Sequence, residues 1–345
     1  MKNGSLTLQA IARLAGTTKS TVSRVLSDSP RISDETKARV NAVVRERGFQ
    51  PNFLARALAR GRTGTLGVLA SNISSGFFAE VMRGMDIAAG RNRGHLLVSI
   101  AHGDEDYFSL FDDLLTNGQV DGLVAIDPPM AIFGRDLAPG HRPLVLCAAR
   151  PPDRARTWDT VDSVTVDNAR GMSRLVAYLA GRGARDIVHL AGPRNNFDAR
   201  QRRAAFMSAA RRLRIPKWRV LDGHLIREDG RDAIRKYFAA EGRRPGAFVA
   251  FNDSVALGVL AEIRNGARRR IAVTGWDNTP AAEALDLTSV EMPLTGLGGM
   301  SARLLLDRME HEAAAKAPGR HVILDLELKL RKSSRLSAGR KGGIR

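Results

Sequence analysis

Residues 7–26 read TLQAIARLAGTTKSTVSRVL, and the spacing within them decides what the start of the chain is. Leu8, Ile11, Ala12 and Ala15 recur at helical intervals and Gly16 supplies a left-handed stop, so 8–15 reads as a short helix. A second helix follows at once. Thr18 is placed to accept its first amide bonds, Val22, Val25 and Leu26 form its inner stripe, and Asp28–Ser29–Pro30 breaks it. Its outer face carries Lys19, Ser20, Ser23 and Arg24. Two short helices joined by a tight glycine turn, with a polar, cationic face on the second, describe a helix-turn-helix.

A third helix starts at Ser33, whose hydroxyl is placed to cap it while Asp34 and Glu35 favour its positive end. It buries Val40, Val43 and Val44 and stops at Gly48. After Pro51–Asn52 comes FLARALARGR, in which Leu54, Ala55 and Leu58 share one face and Arg56, Arg60 and Arg62 supply charge. A helix that short orders only against DNA or a partner copy. Charge follows the same division. Residues 1–62 hold twelve Lys/Arg against four Asp/Glu, residues 329–345 hold seven and none, and the rest is nearly balanced at 35 against 32. A basic head on a near-neutral body is what phosphate binding predicts.

TLQAIARLAGTTKSTVSRVL followed by PNFLARALARGRTGTLGVL resembles the LacI family of bacterial repressors. The first block resembles the family's helix-turn-helix, including Thr21–Val22–Ser23–Arg24, and the second its hinge helix. The resemblance implies that Lys19, Ser20 and Arg24 face operator bases, that Thr18, Thr21 and Ser23 mostly hold phosphates, and that Asn52 contacts the backbone near the hinge. Leu58 matches the leucine that wedges into the minor groove from each subunit of a dimer, trading base unstacking for contact with bent DNA. Thr17 departs from the family's usual valine, which implies a small loss of packing in the turn.

From Thr65 onward short apolar runs alternate with amphipathic segments: TLGVLA, HLLVSIA, DGLVAID, PLVLCA, DIVHLAG, GAFVAF and RRIAVTGW. That alternation predicts parallel strands with crossover helices, hence an α/β body of two doubly wound lobes like those of periplasmic binding proteins. ARPPDRARTWDT, at 149–160, reads as an interlobe segment or loop. In such sheets ligands sit beyond the carboxyl ends of the strands. LTGLGGMSARLLLDRMEHEAAA reads as a helix returning to the first lobe and VILDLELKLR as a strand, while the basic end, 331–345, reads as a disordered tail.

The resemblance extends over nearly the whole chain and makes the cleft between lobes an effector site. Asn72 and Phe78 would edge it, although a Phe pair on a helix is as readily core. Arg200 matches a ligand-gripping arginine, whose guanidinium suits a carboxylate, a phosphate or paired hydroxyls. Asn252 and Asp277 match polar residues after later strands and offer what vicinal hydroxyls require, whereas Asp253 reads as a helix cap. Ala148 stands where the family often has aspartate, and Arg150 lies close by. With Arg200 this favours an acidic sugar derivative, a neutral sugar or nucleobase remaining open.

The chain is therefore expected to comprise a DNA-binding domain at 1–62 with a hinge helix at 52–60, a two-lobed effector and dimerisation domain at 63–330, and the tail. Its expected partners are a pseudo-palindromic operator duplex, a small-molecule effector and a second copy of itself. No phosphate loop, HExxH or nucleophile elbow is found and the seven histidines lack ligand spacing, so neither catalysis, cofactor nor metal is expected. GLGG at 296–299 lacks the spacing of a dinucleotide fingerprint. The single cysteine, Cys147, sits in an apolar run and reads as a buried thiol. No run of about eighteen apolar residues or signal-peptide pattern is found, so a cytoplasmic protein without membrane partners is expected. A periplasmic-type solute-binding protein is the alternative, opposed by the basic head.

Overall fold

The computed structural model describes residues 7–26, 29–49, 62–71, 73, 76–90, 94–138, 140–153, 156–223, 225–242, 244–264, 271–311 and 317–336. Asn52, Leu58 and the hinge segment expected at 52–60 lie outside them, as do Asn72 and the end of the expected tail. The chain divides into two compact units, Met1–Thr63 and Gly64–Arg345.

In the first unit, α1 spans Leu8–Leu14, α2 Lys19–Leu26 and α3 Asp34–Glu46. Gly16 turns the chain between α1 and α2 at φ +60°, a conformation that glycine adopts without steric cost. Thr18 Oγ1 accepts the Thr21 amide at 3.2 Å, and Ser33 caps α3 through the Thr36 amide at 3.4 Å. The apolar stripes meet in a small core of Ile11, Ala12, Ala15, Val22, Val25, Val40 and Phe49. Val43 and Val44 are only partly buried against it.

The second unit holds two six-stranded sheets. The first contains β1 (Thr65–Ala70), β2 (His95–Ile100), β3 (Gly122–Ile126), β4 (Leu144–Cys147), β5 (Asp162–Val166) and β11 (His321–Leu324), in the order β11-β5-β4-β3-β1-β2. The second contains β6 (Asp186–Leu190), β7 (Lys217–Leu221), β8 (Ala247–Ala250), β9 (Ala272–Asp277), β10 (Thr288–Glu291) and β12 (Glu327–Lys329), in the order β12-β10-β9-β8-β6-β7. All pairings are parallel except that of β12 with β10. Helices α4 (Gly76–Gly90), α5 (Asp104–Thr116) and α11 (Leu294–Glu310) cover the first sheet, and α6 (Asn168–Gly181), α7 (Phe197–Arg212), α8 (Arg227–Glu241), α9 (Asp253–Arg264) and α10 (Pro280–Ala284) belong to the second. The chain crosses between lobes after β5, after β10 and after β11.

Of the two readings of 149–160, the loop is the one observed: Trp158 stacks on Phe111 and meets Phe133 edge-on in the first lobe's core, and the crossing comes later, after β5. Two differences from the sequence reading have physical causes. VILDLELKLR is two strands in different sheets, split at Asp325–Leu326. Residues 331–336, read as the start of a tail, are packed: Ser333 donates to the Val273 carbonyl at 2.6 Å and Thr288 Oγ1 donates to the Arg331 carbonyl at 3.0 Å.

GLGG has a packing role. A Cβ on Gly298 would lie 1.9 Å from the Val81 carbonyl oxygen, and one on Gly84 would lie 2.0 Å from that of Thr295. Bare backbone on both helices is thus what lets α11 press against α4. Gly298→Ala should force these helices apart and destabilise the body by about 2 kcal/mol or more, in the range of core overpacking. Denaturant melts check this, and an unchanged midpoint would show that the helices shift freely.

Candidate functional site

Two surfaces follow from these elements. On α2 the inner residues Val22 and Val25 are buried, while Lys19, Ser20 and Arg24 are exposed and Thr21 and Ser23 half-buried. The Thr18 hydroxyl is engaged at the helix start and also bonds Ser20 Oγ at 2.8 Å and Thr21 Oγ1 at 2.9 Å. A short helix held from behind by its apolar stripe therefore presents a cation, a hydroxyl and a guanidinium outward, groups able to donate to guanine O6 and N7 and to phosphates.

The second surface is the cleft between the lobes, lined by Phe77, Phe78, Asp127, Ala148, Asn196, Asp198, Arg202, Leu225, Phe251, Asn252 and Asp277. Parallel winding brings these together, since Asp127 and Ala148 follow β3 and β4 in one lobe and Asp277 ends β9 in the other. Asp127, Ala148, Asp277 and Asn278 all take positive φ, +48°, +60°, +105° and +54°. Strained backbone concentrated at strand ends facing a cleft is typical of ligand sites. Three hydrogen bonds between described residues cross the cleft: Met130 N donates to the Asn195 carbonyl at 2.8 Å, and Asn196 Nδ2 donates to both Asp127 oxygens at 2.7 Å. The enclosed cavity is about 40 Å³, well below the ~300 Å³ of the smaller ligand pockets. In this arrangement of the lobes the cavity is too small for a sugar-sized molecule.

Arg202 anchors the second-lobe wall. It is 2% exposed, and its guanidinium lies over the rings of Trp276 at 4.4 Å and Phe251 at 4.9 Å. Its donors reach Asn168 Oδ1, the Phe251 carbonyl and Asp198 Oδ2 at 2.9–3.0 Å. The side chain of Asp277, a residue 6% exposed, makes no hydrogen bond to another described residue. Burial raises the Asp277 carboxyl well above the usual carboxylate range, with the nearby carboxylates adding to it and Arg202 opposing. Burial, aided by Asp198, pushes Asp127 up to about 7, and Asp198 is also raised by burial despite Arg202.

Of the residues singled out for the effector, Phe78, Asn252 and Asp277 line this cleft. Asn252 is largely committed to local structure, donating to the Leu225 carbonyl and accepting the Val255 amide, both at 2.9 Å. Asp253 accepts from the Thr279 amide, the Thr279 hydroxyl and the Ser289 hydroxyl, tying the loop behind Asp277 in place. Arg150 pairs with Asp153 at 3.1 Å and is not among the lining residues. Arg200 is exposed in an outer groove with Arg194, Arg203 and Arg211. Two residues along a helix is a turn of about 200°, so Arg202, not Arg200, is the arginine in the cleft. Asp127, Asn196, Asp198 and Arg202 escaped the sequence reading, and the one available signal was the position of Asp127 directly after an apolar strand. The cleft therefore holds three carboxyl groups and one guanidinium already engaged by Asn168, Asp198 and the Phe251 carbonyl, and neither Arg150 nor Arg200 is among its lining residues to pair with an acidic ligand. Among the described residues no cluster suits a metal ion, and no helix is long and apolar enough to cross a membrane.

Comparison with known proteins fits both surfaces. Residues 7–52 match the model of bacterial regulatory proteins of the lacI family, and residues 176–334 that of the periplasmic binding protein-like domain. The chain is 28% identical to the ribose operon repressor of Escherichia coli (strain K12) over 312 residues, 88% of this chain and 93% of that protein. The structure superposes on the lac repressor dimer bound to operator and an anti-inducer with TM-score 0.82, at 24% identity, covering 96% of this chain and 99% of that one. It also superposes on a transcriptional regulator, CelR, in complex with cellobiose, with TM-score 0.66, at 25% identity, covering 95% and 99%.

The cleft carboxylates carry a pH dependence whose sign follows from linkage. A folded-state pKa raised from 3.8 to about 7 favours folding most below pH ~4, and that contribution is lost as pH rises through ~7. Asp127→Asn keeps an acceptor for Asn196 and removes the buried charge. It should raise the melting temperature of the unliganded protein at pH 8 by a few degrees, with the gap closing towards pH 4. A gap that stays constant with pH would contradict the assignment.

Proposed function

Given that this chain belongs to the LacI family of bacterial regulatory proteins, we propose that it is a DNA-binding transcriptional repressor of the cytoplasm, a homodimer whose operator affinity is set by a small polyhydroxylated molecule in the interlobe cleft. The observation that carries the reading is the exposure of Lys19, Ser20 and Arg24 on one face of a helix whose opposite face is locked by Val22 and Val25. On this reading those three residues read base edges, Thr18, Thr21 and Ser23 hold phosphates, and each subunit takes one half of a pseudo-palindromic operator. Residues 52–60, with Asn52 and Leu58, form the hinge that joins a head at 1–62 to a body beginning at residue 63.

The effector is read as neutral. Asp277 and Asp127 accept from hydroxyls, Asn196 and Asn252 add amide groups, and Phe78 and Phe251 offer apolar walls to the C–H face of a ring. Arg202 serves as a strut for that wall. Ribose and cellobiose, named with two similar proteins, belong to this class of compound. The cleft is read as a site of binding without turnover. The molecule affects DNA binding only in so far as it binds the two lobe arrangements differently, a coupling of typically about 1–3 kcal/mol.

A thermal-shift screen of neutral sugars, sugar acids and sugar phosphates tests the reading, since a ligand at a hundred times its Kd adds about 2.7 kcal/mol. A neutral sugar should raise the melting temperature, and Asp277→Asn should remove that shift while leaving operator binding intact. Arg24→Ala should do the reverse. A full shift in Asp277→Asn would misplace the pocket, and stabilisation by sugar acids alone would overturn the neutral-ligand reading.

A further inference from the structure

Residues 200–219, RQRRAAFMSAARRLRIPKWR, contain seven arginines, one lysine and no carboxylate, in a body that is otherwise nearly balanced in charge. Three of these cations are accounted for by acids elsewhere in the fold. Arg202 is buried on Asp198, Arg203 shares Asp222 with Arg194, and Arg219 pairs with Glu241. Arg200, Arg211, Arg212, Arg214 and Lys217 are exposed and have no carboxylate partner among the described residues. Lys217 and Arg219 lie on β7, the edge strand of its sheet, where charge discourages pairing with another chain. That accounts for the strand and not for the helix.

On α7, Arg200, Arg203, Ala204, Met207 and Arg211 fall at helical intervals and line one groove together with Arg194. The stripe from Arg200 to Arg211 is about 16 Å long at 1.5 Å per residue, roughly half a turn of duplex DNA. Arg211 is steadied over the Trp218 ring at 5.7 Å, and Asp222 holds Arg194 and Arg203 pointing along the same groove. The apolar part of the groove is confined to Ala204 and Met207. Protein-binding patches are depleted of charge at their centres, whereas nucleic-acid interfaces are polar and strongly cationic. Arginine in place of lysine also suits phosphate, which it grips with two parallel bonds.

We propose that the outer face of α7, from Arg200 to Arg211 with Arg194 beside it, is a second, sequence-independent DNA-binding surface, separate from the helix-turn-helix and outside the effector cleft. It would hold the phosphate backbone of duplex DNA and read no bases.

The test is the salt dependence of binding of the full chain to a 30-bp duplex of scrambled sequence, followed by fluorescence anisotropy. The variant Arg194→Glu/Arg200→Glu/Arg211→Glu, all three lining the groove, is compared with a charge-matched control, Arg174→Glu/Lys236→Glu/Arg303→Glu, whose positions are exposed on other helices. Losing three phosphate contacts should make the slope of log K against log salt shallower by about 2.7. The control should move it much less, and Arg→Lys at the same three stripe positions should retain most of the wild-type slope. Equal effects of the stripe and control variants would reduce the surface to general charge and overturn the proposal. So would an unchanged slope in the stripe variant when its melting curve matches wild type. Loss of binding to fluorescent polyglutamate with the DNA slope intact would assign the face to an acidic protein instead.

Discussion

A buried guanidinium has to be satisfied on every side, because an unpaired cation in the interior costs far more than any one contact returns. Arg202 meets that condition by drawing on the helix start at Asn168, on Asp198 one turn earlier, on the Phe251 carbonyl and on the rings of Phe251 and Trp276. Those groups come from four separate stretches of chain, and each also borders or supports the cleft. The carboxyl ends of β8 and β9 are thereby held in register with the start of α7, and Asp277 is left facing the cavity. Removing Arg202 would leave Asp198 buried and uncompensated, so the wall of the cleft and the stability of the second lobe rest on the same interaction.

The opposite wall is set by strain instead of charge. Asp127 and Ala148 sit in left-handed conformations at the ends of β3 and β4, and the Asp127 carboxylate is steadied across the cleft by Asn196. Asn196 also caps α7 by accepting the Ala199 amide at 2.8 Å. The bridge is thus built into a helix terminus, so lobe opening breaks it without unfolding anything. Closure by three hydrogen bonds, with the chain crossing between lobes at three places, is a construction compatible with the two discrete arrangements that ligand control requires.

Much of this was legible in the sequence. Residues 7–26 carry their helices in the spacing of apolar positions, and the buried strands of the body announce themselves as continuous apolar runs. What escaped did so for physical reasons. β5, DSVTV, starts with Asp162, a buried carboxylate that only makes sense once Arg308 and Arg320 fold onto it from the far end of the chain. β7, KWRVL, is an edge strand whose cations alternate with Trp218 and Val220, so it lacks the continuous apolar run that marks the buried strands. In the cleft, periodicity marks Arg200 and Arg202 alike, and only the phase of α7, fixed by Ala199, Ala205 and Phe206 packing inward, decides which one is inside. Asp127 and Asn196 are single polar letters whose importance arises when two lobes meet, and nothing local encodes that.

A DNA-binding head and a cleft proposed to sense a small neutral molecule are coupled only if each ligand alters the affinity for the other, and thermodynamic reciprocity states that link quantitatively. The most direct measurement is a pair of titrations: operator affinity with and without the sugar found to stabilise the protein, and affinity for that sugar with and without saturating operator. The same ratio, roughly 5- to 150-fold, is predicted from both, and it should vanish in Asp277→Asn. A sugar that binds the body tightly yet leaves operator affinity unchanged would contradict it.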